Sequence, residues 1–148
     1  GARPSRGAGR RVAGEGAGVF DASSRGCSPT AACLHRVGPG GVVMPRTEGA
    51  ARVALQIAAE EGVPILPRGA GTSQCGQTVG QALVIDCSKY LHEVIRIDAD
   101  KREATVQPGL VLDHLNARLR APQLWFQVDV STSAQANLSG MTGHNYCG

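Results

Sequence analysis

The chain has 148 residues, a formal net charge of +3 and aromatic side chains at only 3% of its positions. This length predicts one domain with a sizeable core, and the mild charge with few stacking rings argues against nucleic-acid binding. The sequence contains no run of about 18 apolar residues, so no membrane span is predicted.

The first 38 residues are predicted to be a low-complexity tail that is disordered or irregular. Gly, Ala and Arg dominate residues 1–18, and such a segment buries too little apolar surface to offset its ordering entropy. Abundant Arg and few acids also fit a transit peptide, but the glycines disfavour an amphipathic helix there. The folded domain is therefore predicted to occupy residues 39–148.

Cysteine and histidine usage predicts neither a disulfide framework nor a metal site. The five cysteines are an odd number and include no C-x-x-C pair, which favours reduced thiols in a cytoplasmic protein. The four histidines are scattered without the spacing of metal ligands. We therefore expect no bound metal.

A strand–helix–strand unit is predicted to open the domain. The apolar residues 42–44 indicate a short strand. Thr47 is a suitable N-cap for a helix over residues 48–61, whose apolar side chains recur on one face, and Gly62 suits its C-terminal end. Residues 63–66 indicate a second strand, and the connection by a helix predicts that the two strands are parallel.

The second half of the domain is predicted to contain three strands and two helices. Residues 82–86 are nearly all apolar and indicate a buried strand. Residues 93–98 and 103–107 suit two strands of a hairpin, and leucines over residues 110–120 follow a helical stripe. Residues 137–145 suit a short helix. The fold class is therefore α+β (α/β), with a small parallel β-α-β unit followed by a mixed or antiparallel sheet with helices.

A glycine-rich loop follows the second strand, with glycines at positions 69, 71 and 76. Glycine permits positive φ and close approach of a ligand, and successive backbone N–H groups in such a loop can cradle a phosphate. Thr72 and Ser73 add hydroxyl donors, and Arg68 adds positive charge. The loop is thus a candidate pyrophosphate site, although its spacing matches neither the P-loop nor the dinucleotide fingerprint, and a plain turn between strands stays open.

A second candidate anion site lies near the end of the chain. The N–H groups at the start of the predicted helix 137–145 would face the preceding polar loop, and a helix N-terminus attracts anions. Residues 131–133 are Ser-Thr-Ser and could either cap that helix or hold a phosphate. Two such sites in one small domain fit a diphosphate better than either does alone.

Residues 67–73, followed by Gly76 and Gln77, resemble the flavin loop of FAD-linked oxidases of the vanillyl-alcohol oxidase type. The resemblance covers about residues 40–148, in order and with compatible spacing. Within that family, the D-lactate and glycolate dehydrogenase branch is the most similar. The segments that carry the resemblance outside the loop are residues 41–47, 61–64, 106–109, 112–116, 129–132 and 140–148.

The resemblance implies the N-terminal part of a PCMH-type FAD-binding domain, incomplete because the family's flavin domain continues beyond the position of Gly148. It assigns no catalytic residue to this stretch and places the substrate-binding side chains in a later domain. No histidine stands between Pro67 and Gly80 in this sequence, so the resemblance implies FAD that is bound non-covalently. The residues that it assigns to the cofactor are Pro67, Arg68, Gly69, Ala70, Gly71, Thr72, Ser73, Gly76, Gln77, Asp129, Val130, Ser131, Thr132, Asn137, Gly140, Gly143, Asn145 and Gly148.

The activity that the resemblance implies is oxidation of a 2-hydroxy acid, such as D-lactate or glycolate, to the 2-oxo acid, with a separate electron acceptor. The expected location is cytoplasmic or membrane-peripheral. The chain by itself is expected to be inactive. A non-catalytic flavin- or nucleotide-binding module, and a truncated product without activity, are the alternatives.

Several positions depart from the family pattern. Ser139 stands where a second glycine is usual, His144 where asparagine or a small residue is common, and Asn137 where threonine is frequent. In residues 30–32, Thr-Ala-Ala resembles a Thr-Asp-Ala segment that has lost its acid. These departures fall mainly on the second candidate anion site.

Overall fold

The structure is a computed structural model that describes residues 40–74, 76–77 and 79–146. The predicted tail and the predicted site residue Gly148 lie outside the described residues. None of the helices in this described part has the length and apolar character needed to span a bilayer.

The first half of the domain is a three-stranded parallel sheet with one helix packed on it. The elements are β1 (Gly41–Val43), α1 (Glu48–Glu60), β2 (Ile65–Arg68) and β3 (Leu83–Asp86). The sheet order is β1-β3-β2, and β3 pairs in parallel with both neighbours. The predicted parallel orientation of β1 and β2 is confirmed, but β3 lies between them. The crossover from β2 to β3, residues 69–82, contains no helix among its described residues, so the glycine loop itself makes the crossover.

The C-terminal cap of α1 sets where β2 begins. Gly62 has a φ of +62°, and its N–H donates to the carbonyl of Ala59 at 3.2 Å. The N–H of Val63 donates to the carbonyl of Ala58 at 2.8 Å, which completes a Schellman motif. Because Val63 belongs to this cap, β2 starts at Ile65, later than predicted.

The N-terminal cap of α1 provides a direct test of stability. The hydroxyl of Thr47 accepts a hydrogen bond from the N–H of Ala50 at 3.1 Å. Thr47→Ala leaves that donor without a protein partner and is expected to lower the free energy of unfolding by about 1 kcal/mol. Thr47→Ser keeps the acceptor and should lose far less. Denaturant titration of the three proteins checks this, and equal losses in both variants would contradict the capping role.

One buried cluster joins α1 to the parallel sheet. Since a helix buries the residues that recur every three or four positions, Ala54, Ile57 and Ala58 all face the sheet and are nearly inaccessible. The other members of the cluster come from the strands and from the residue after the helix cap; they are Val43, Val63, Leu83 and Ile85.

The second half of the domain is an antiparallel hairpin with two helices. Its elements are β4 (Val94–Asp98), β5 (Glu103–Val106), α2 (Leu112–Leu119) and α3 (Leu138–Gly143). The predicted hairpin is confirmed, with a bulge in its register near Val94. Apolar side chains from α2 and α3 form two further clusters, the first centred on Leu110, Leu115 and Leu119 and the second on Leu112, Ala136 and Met141.

The two halves meet at Gly109, which is buried. Its N–H donates to the carbonyl of Leu91 at 2.7 Å, and its own carbonyl accepts from the side-chain amide of Asn137 at 2.7 Å. A Cβ at this position would stand 2.8 Å from the carbonyl carbon of Cys87 and equally close to the Leu91 oxygen. Only glycine fits, because both neighbours are main-chain atoms. This contact joins the end of β3 to the start of α3.

Candidate functional site

A cleft of about 450 Å³ lies between the glycine loop and α3, and we call it the loop cleft. It forms because β2 delivers the loop to the carboxyl end of the parallel sheet, where ligands of open α/β sheets usually bind. The segments around the two predicted anion sites therefore converge on one hollow. The predicted site residues that line it are Pro67, Arg68, Gly69, Ala70, Gly71, Thr72, Ser73, Gln77, Thr132, Asn137, Gly140 and Gly143.

Other predicted site residues do not line the loop cleft. Asp129 borders a separate hollow beside α2, and Val130 packs against the cluster of Leu112, Ala136 and Met141. The other predicted site residues that do not line the loop cleft are Gly76, Ser131 and Asn145. The structure thus brings the glycine loop to the cleft almost completely but only part of residues 129–132.

The backbone N–H groups of residues 69–73 are the main polar feature of the loop. No backbone carbonyl in the described part of the chain accepts a hydrogen bond from any of them. Gly71 has a φ of +74°, a conformation that other residues adopt only with strain. The guanidinium of Arg68 lies where a Cβ on Gly71 would stand, so it folds back over the loop. Consecutive free donors beside a cation form an arrangement suited to an anion.

Gly69 is required for a different reason, the close approach of α3. A Cβ on Gly69 would stand 2.6 Å from the side-chain oxygen of Asn137. Asn137 is buried and held by its hydrogen bond to Gly109, so it has little room to move. Its side-chain oxygen is buried without a hydrogen-bond partner among the described residues. The missing side chain at Gly69 is therefore what lets the loop and α3 form two walls of one cleft.

The charge of the loop cleft favours an anionic ligand. Arg68 and His144 are the basic side chains among its described lining residues, and no Asp or Glu is among them. In a partly enclosed hollow, a cation attracts a phosphate more strongly than it does in bulk water. A ligand carrying a diphosphate would meet no carboxylate repulsion from these walls.

The expectation for the start of α3 is wrong in one respect. The N–H groups of Leu138 and Ser139 donate to the carbonyls of Leu110 and Pro108, at 3.0 and 3.1 Å, rather than facing the loop. The N-cap is Asn137, which makes no side-chain capping bond, so the residues 131–133 do not cap this helix. The segment from 108 to 110 competes for these donors because Gly109 brings it against α3. Among the described residues, the glycine loop therefore supplies most of the amides without a backbone acceptor at this cleft, and Gly140 is the one residue in the first turn of α3 whose N–H also has none.

His144 lies in the loop cleft although it was not among the expected cofactor residues. Its Nε2 lies 2.7 Å from the hydroxyl of Ser73, and its ring contacts that of Tyr146 with centroids 5.7 Å apart. The signal available in the sequence was its departure from the usual small residue or asparagine. Its pairing with Ser73 could not be read from residues so far apart in the chain.

Cys87, directly after β3, contributes a thiol to the same cleft. Burial raises the pKa of this thiol, and the nearby Asp86 carboxylate raises it further. The unfolded chain therefore loses this proton at lower pH than the folded protein does. The resulting contribution to stability is complete below about pH 9 and is lost as the pH rises through the higher folded value.

The pH dependence of the free energy of unfolding tests this contribution of Cys87. We expect the free energy of unfolding to fall more steeply as the pH rises above about 9 in the native protein than in Cys87→Ser, which has no thiol to titrate. Denaturant titrations at matched ionic strength provide the measurement. Identical slopes in the two proteins would show that the Cys87 thiol ionises equally easily in the folded and unfolded states.

A larger hollow, of about 740 Å³, lies between the hairpin, α2 and α3. Its walls are mainly apolar and include the exposed rings of Trp125 and Phe126. Its charged lining residues, Arg102 and Glu103, have opposite signs. This hollow therefore lacks the one-sided positive charge that makes the loop cleft suitable for a diphosphate.

The chain matches one protein family and is similar in sequence to named dehydrogenases and oxidases. Residues 39–148 match the sequence family described as FAD binding domain. D-2-hydroxyglutarate dehydrogenase of Pantoea ananatis is 32% identical over 111 residues, which are 73% of this chain and 11% of that protein. Glycolate oxidase subunit GlcD of Bacillus subtilis is 30% identical over 108 residues, 72% of this chain and 23% of that protein. The chain thus spans about a tenth to a quarter of the length of these relatives.

Solved structures share the same fold. Alkyldihydroxyacetonephosphate synthase superposes with a TM-score of 0.74 at 19% identity, covering 83% of this chain and 25% of that protein. A carbohydrate oxidase from Microdochium nivale superposes with a TM-score of 0.74 at 16% identity, covering 90% and 29%. At such identities the likeness is one of fold, and it confirms the predicted mixed α/β class.

Proposed function

Because this chain belongs to the FAD-binding domain family, we propose that the loop cleft holds the diphosphate of FAD on the main-chain amides of residues 69–73. The observation that carries the proposal is the run of consecutive N–H groups without a backbone acceptor among the described residues. Such a run satisfies several phosphate oxygens at once, and its fixed dipoles need no reorganisation when the anion arrives.

The side chains around the amides have separate roles in this proposal. Arg68 supplies charge, and its guanidinium already lies over the loop at Gly71. Thr72 and Ser73, which line the loop cleft, supply hydroxyl donors. On the opposite wall, Thr132 and the glycines of α3 keep the space open. The other expected cofactor residues, Asp129 to Ser131 and the segment that ends at Gly148, would contact parts of FAD outside the loop cleft.

For the complete protein we propose oxidation of a 2-hydroxy acid to the 2-oxo acid. FAD held on the amides of residues 69–73 would supply a two-electron oxidant for the α-carbon, with the hydroxyl proton released and the electrons passed to a separate acceptor. The relatives are named for D-2-hydroxyglutarate, glycolate and D-lactate, which are all 2-hydroxy acids. Residues 39–148 would bind the cofactor. The substrate-binding side chains would lie in the part of the complete protein that corresponds to the rest of these relatives' length.

We propose that residues 1–38 form a tail and residues 39–148 the flavin-binding part, in a cytoplasmic or membrane-peripheral protein. The family match begins at the predicted boundary. Limited proteolysis of the FAD-loaded protein followed by mass spectrometry tests the boundary. Early cleavage should fall before residue 39, whereas equal protection on both sides would contradict it. The free thiol of Cys87 fits the reduced compartment.

FAD is proposed to be bound non-covalently. No histidine stands in the loop, and the Nε2 of His144 is engaged with Ser73. Acid precipitation of the yellow protein should leave all flavin in the supernatant. Flavin that stays with the protein pellet would show a covalent link, and digestion with peptide mapping would locate it.

The test of the whole proposal uses the complete reading frame. The purified protein should show flavin absorbance and should reduce an artificial electron acceptor with D-2-hydroxyglutarate, D-lactate or glycolate. Flavin binding without turnover on any of these acids would favour a non-catalytic flavin module. A colourless protein that ignores added FAD but binds ATP would overturn the flavin assignment.

A further inference from the structure

We propose that His144 latches the glycine loop through Ser73, and that protonation of His144 strengthens binding of a diphosphate in the loop cleft. This inference rests on the proposed FAD function and deepens it. His144 acts here as a positioning residue and a source of charge, and it takes no part in hydride transfer.

The latch is a hydrogen bond between segments far apart in the sequence. The Nε2 of His144 and the hydroxyl of Ser73 are 2.7 Å apart, a distance typical of a good hydrogen bond. Ser73 is the last of the five residues whose N–H groups form the proposed cradle. A bond at this point restrains the crossover beyond the stretch that β2 fixes, five residues after that strand ends.

The ring of His144 is held in place from its own side of the cleft. The residue directly follows α3, and its N–H donates to the carbonyl of Gly140 at 2.9 Å. Tyr146, whose N–H donates to the carbonyl of Met141 at 3.1 Å, places its ring beside the imidazole. Because both backbones are tied to α3, the imidazole is presented to the loop by a fixed support.

The proton changes what Ser73 can offer a phosphate. In the neutral tautomer with hydrogen on Nδ1, Nε2 accepts the Ser73 hydroxyl proton, so that proton is unavailable to a ligand. In the imidazolium, Nε2–H donates to the Ser73 oxygen, and the hydroxyl proton is free to bond a phosphate oxygen. The ring also gains a full positive charge. The added charge favours an anion, and the freed hydroxyl proton adds to this where the neutral ring carries its hydrogen on Nδ1, so protonation of His144 should raise the affinity.

The other titratable groups that face this site do not reproduce the effect. Arg68, from β2, keeps its charge throughout the physiological range. Cys87, after β3, and Tyr146, after α3, carry a thiol and a phenol, which are neutral in that range. Asp86, beside Cys87, accepts hydrogen bonds from Ser88 and does not line the cleft. Histidine is the side-chain type among these groups that serves as a switch near neutral pH, so the effect is assigned to His144.

The experiment measures affinity against pH with two probes on the full-length protein after removal of FAD. FAD is followed by flavin fluorescence and ADP-ribose by calorimetry, since both carry a diphosphate diester without an ionisable terminal phosphate. We expect affinity to rise about tenfold from pH 8 to pH 5.5 in the native protein. In His144→Asn the affinity should be nearly flat. In Ser73→Ala the rise should persist but be smaller, because only the charge contribution is left.

His114→Asn is the matched control, because His114 is exposed on α2 and does not line the loop cleft. It should keep the native pH profile. An unchanged tenfold rise in His144→Asn would overturn the latch while leaving the flavin function intact. Absence of FAD binding at every pH in the native protein would instead remove the proposed function. If His144→Asn fails to fold by circular dichroism, His144→Gln provides the same comparison.

Discussion

Arg68→Glu is expected to weaken FAD binding about 100-fold or more. The substitution replaces a cation in the loop cleft with an anion next to a diphosphate, and no other carboxylate lines the described walls. At an effective dielectric constant of about 20, two unit charges 4 Å apart interact by about 4 kcal/mol, so even a screened reversal exceeds the roughly 2.7 kcal/mol needed. Titration of the FAD-free protein with FAD, followed by flavin fluorescence, gives the two dissociation constants.

Arg52→Glu is the matched control for this reversal. Arg52 lies exposed on α1 and does not line the loop cleft, so the variant has the same change in net charge without a change in the site. Its FAD affinity should stay within about twofold of the native value at 0.15 M salt. Equal losses in both variants would mean that net charge, and not the position of Arg68, governs binding. An unaffected Arg68→Glu protein would remove the diphosphate from this loop.

Gly109→Ala is expected to lower the free energy of unfolding by about 3 kcal/mol or more. The added methyl group meets main-chain atoms of Cys87 and Leu91, which cannot rotate away as a flexible side chain would. Overpacking of a buried position costs about 1–3 kcal/mol, and loss of the 2.7 Å bond from Gly109 to Leu91 adds about 1 kcal/mol. Because whole domains are stable by only about 5–15 kcal/mol, this one methyl group should greatly reduce the folded population.

Gly140→Ala is the control for Gly109→Ala. Gly140 lies within α3, and a Cβ there would have no heavy atom within 4 Å. It should be neutral or stabilising by up to about 1 kcal/mol, since alanine favours a helix over glycine. Thermal and denaturant unfolding of the two variants provide the comparison. A Gly109→Ala protein as stable as the native one would contradict the tight contact that joins the two halves.

Gly109 is expected to affect both the stability of the domain and the geometry of the loop cleft. Its carbonyl holds the side-chain amide of Asn137, and Asn137 in turn packs against Gly69 at the base of the loop. A displacement of Gly109 would therefore move the wall on which the loop rests. We expect Gly109→Ala to weaken FAD binding even under conditions in which it stays folded, and the fluorescence titration described above checks this.

Local sequence chemistry predicted most of the secondary structure. The helical spacing of Ala54, Ile57 and Ala58, the Thr47 hydroxyl and the glycine at 62 act through neighbours a few residues away, so the limits of α1 could be predicted closely. The hairpin of β4 and β5 was predictable for the same reason. The glycine loop could be singled out as a candidate anion site because glycine frees the backbone.

Long-range contacts decided the rest. The insertion of β3 between β1 and β2 depends on strand pairing, which no local pattern specifies. Only the folded chain shows that the N–H groups of Leu138 and Ser139 donate to the carbonyls of Leu110 and Pro108. The same holds for His144, whose partner Ser73 is distant in sequence.

The sequence by itself determined that a glycine-rich segment directly follows an apolar strand, because glycine and strand patterns depend on each residue's own backbone freedom and apolar surface. The tertiary structure decided which side chains surround the amides of that segment. It set Asn137 against Gly69 and His144 against Ser73, since packing and the hydrogen bonds of Gly109 fix where α3 lies.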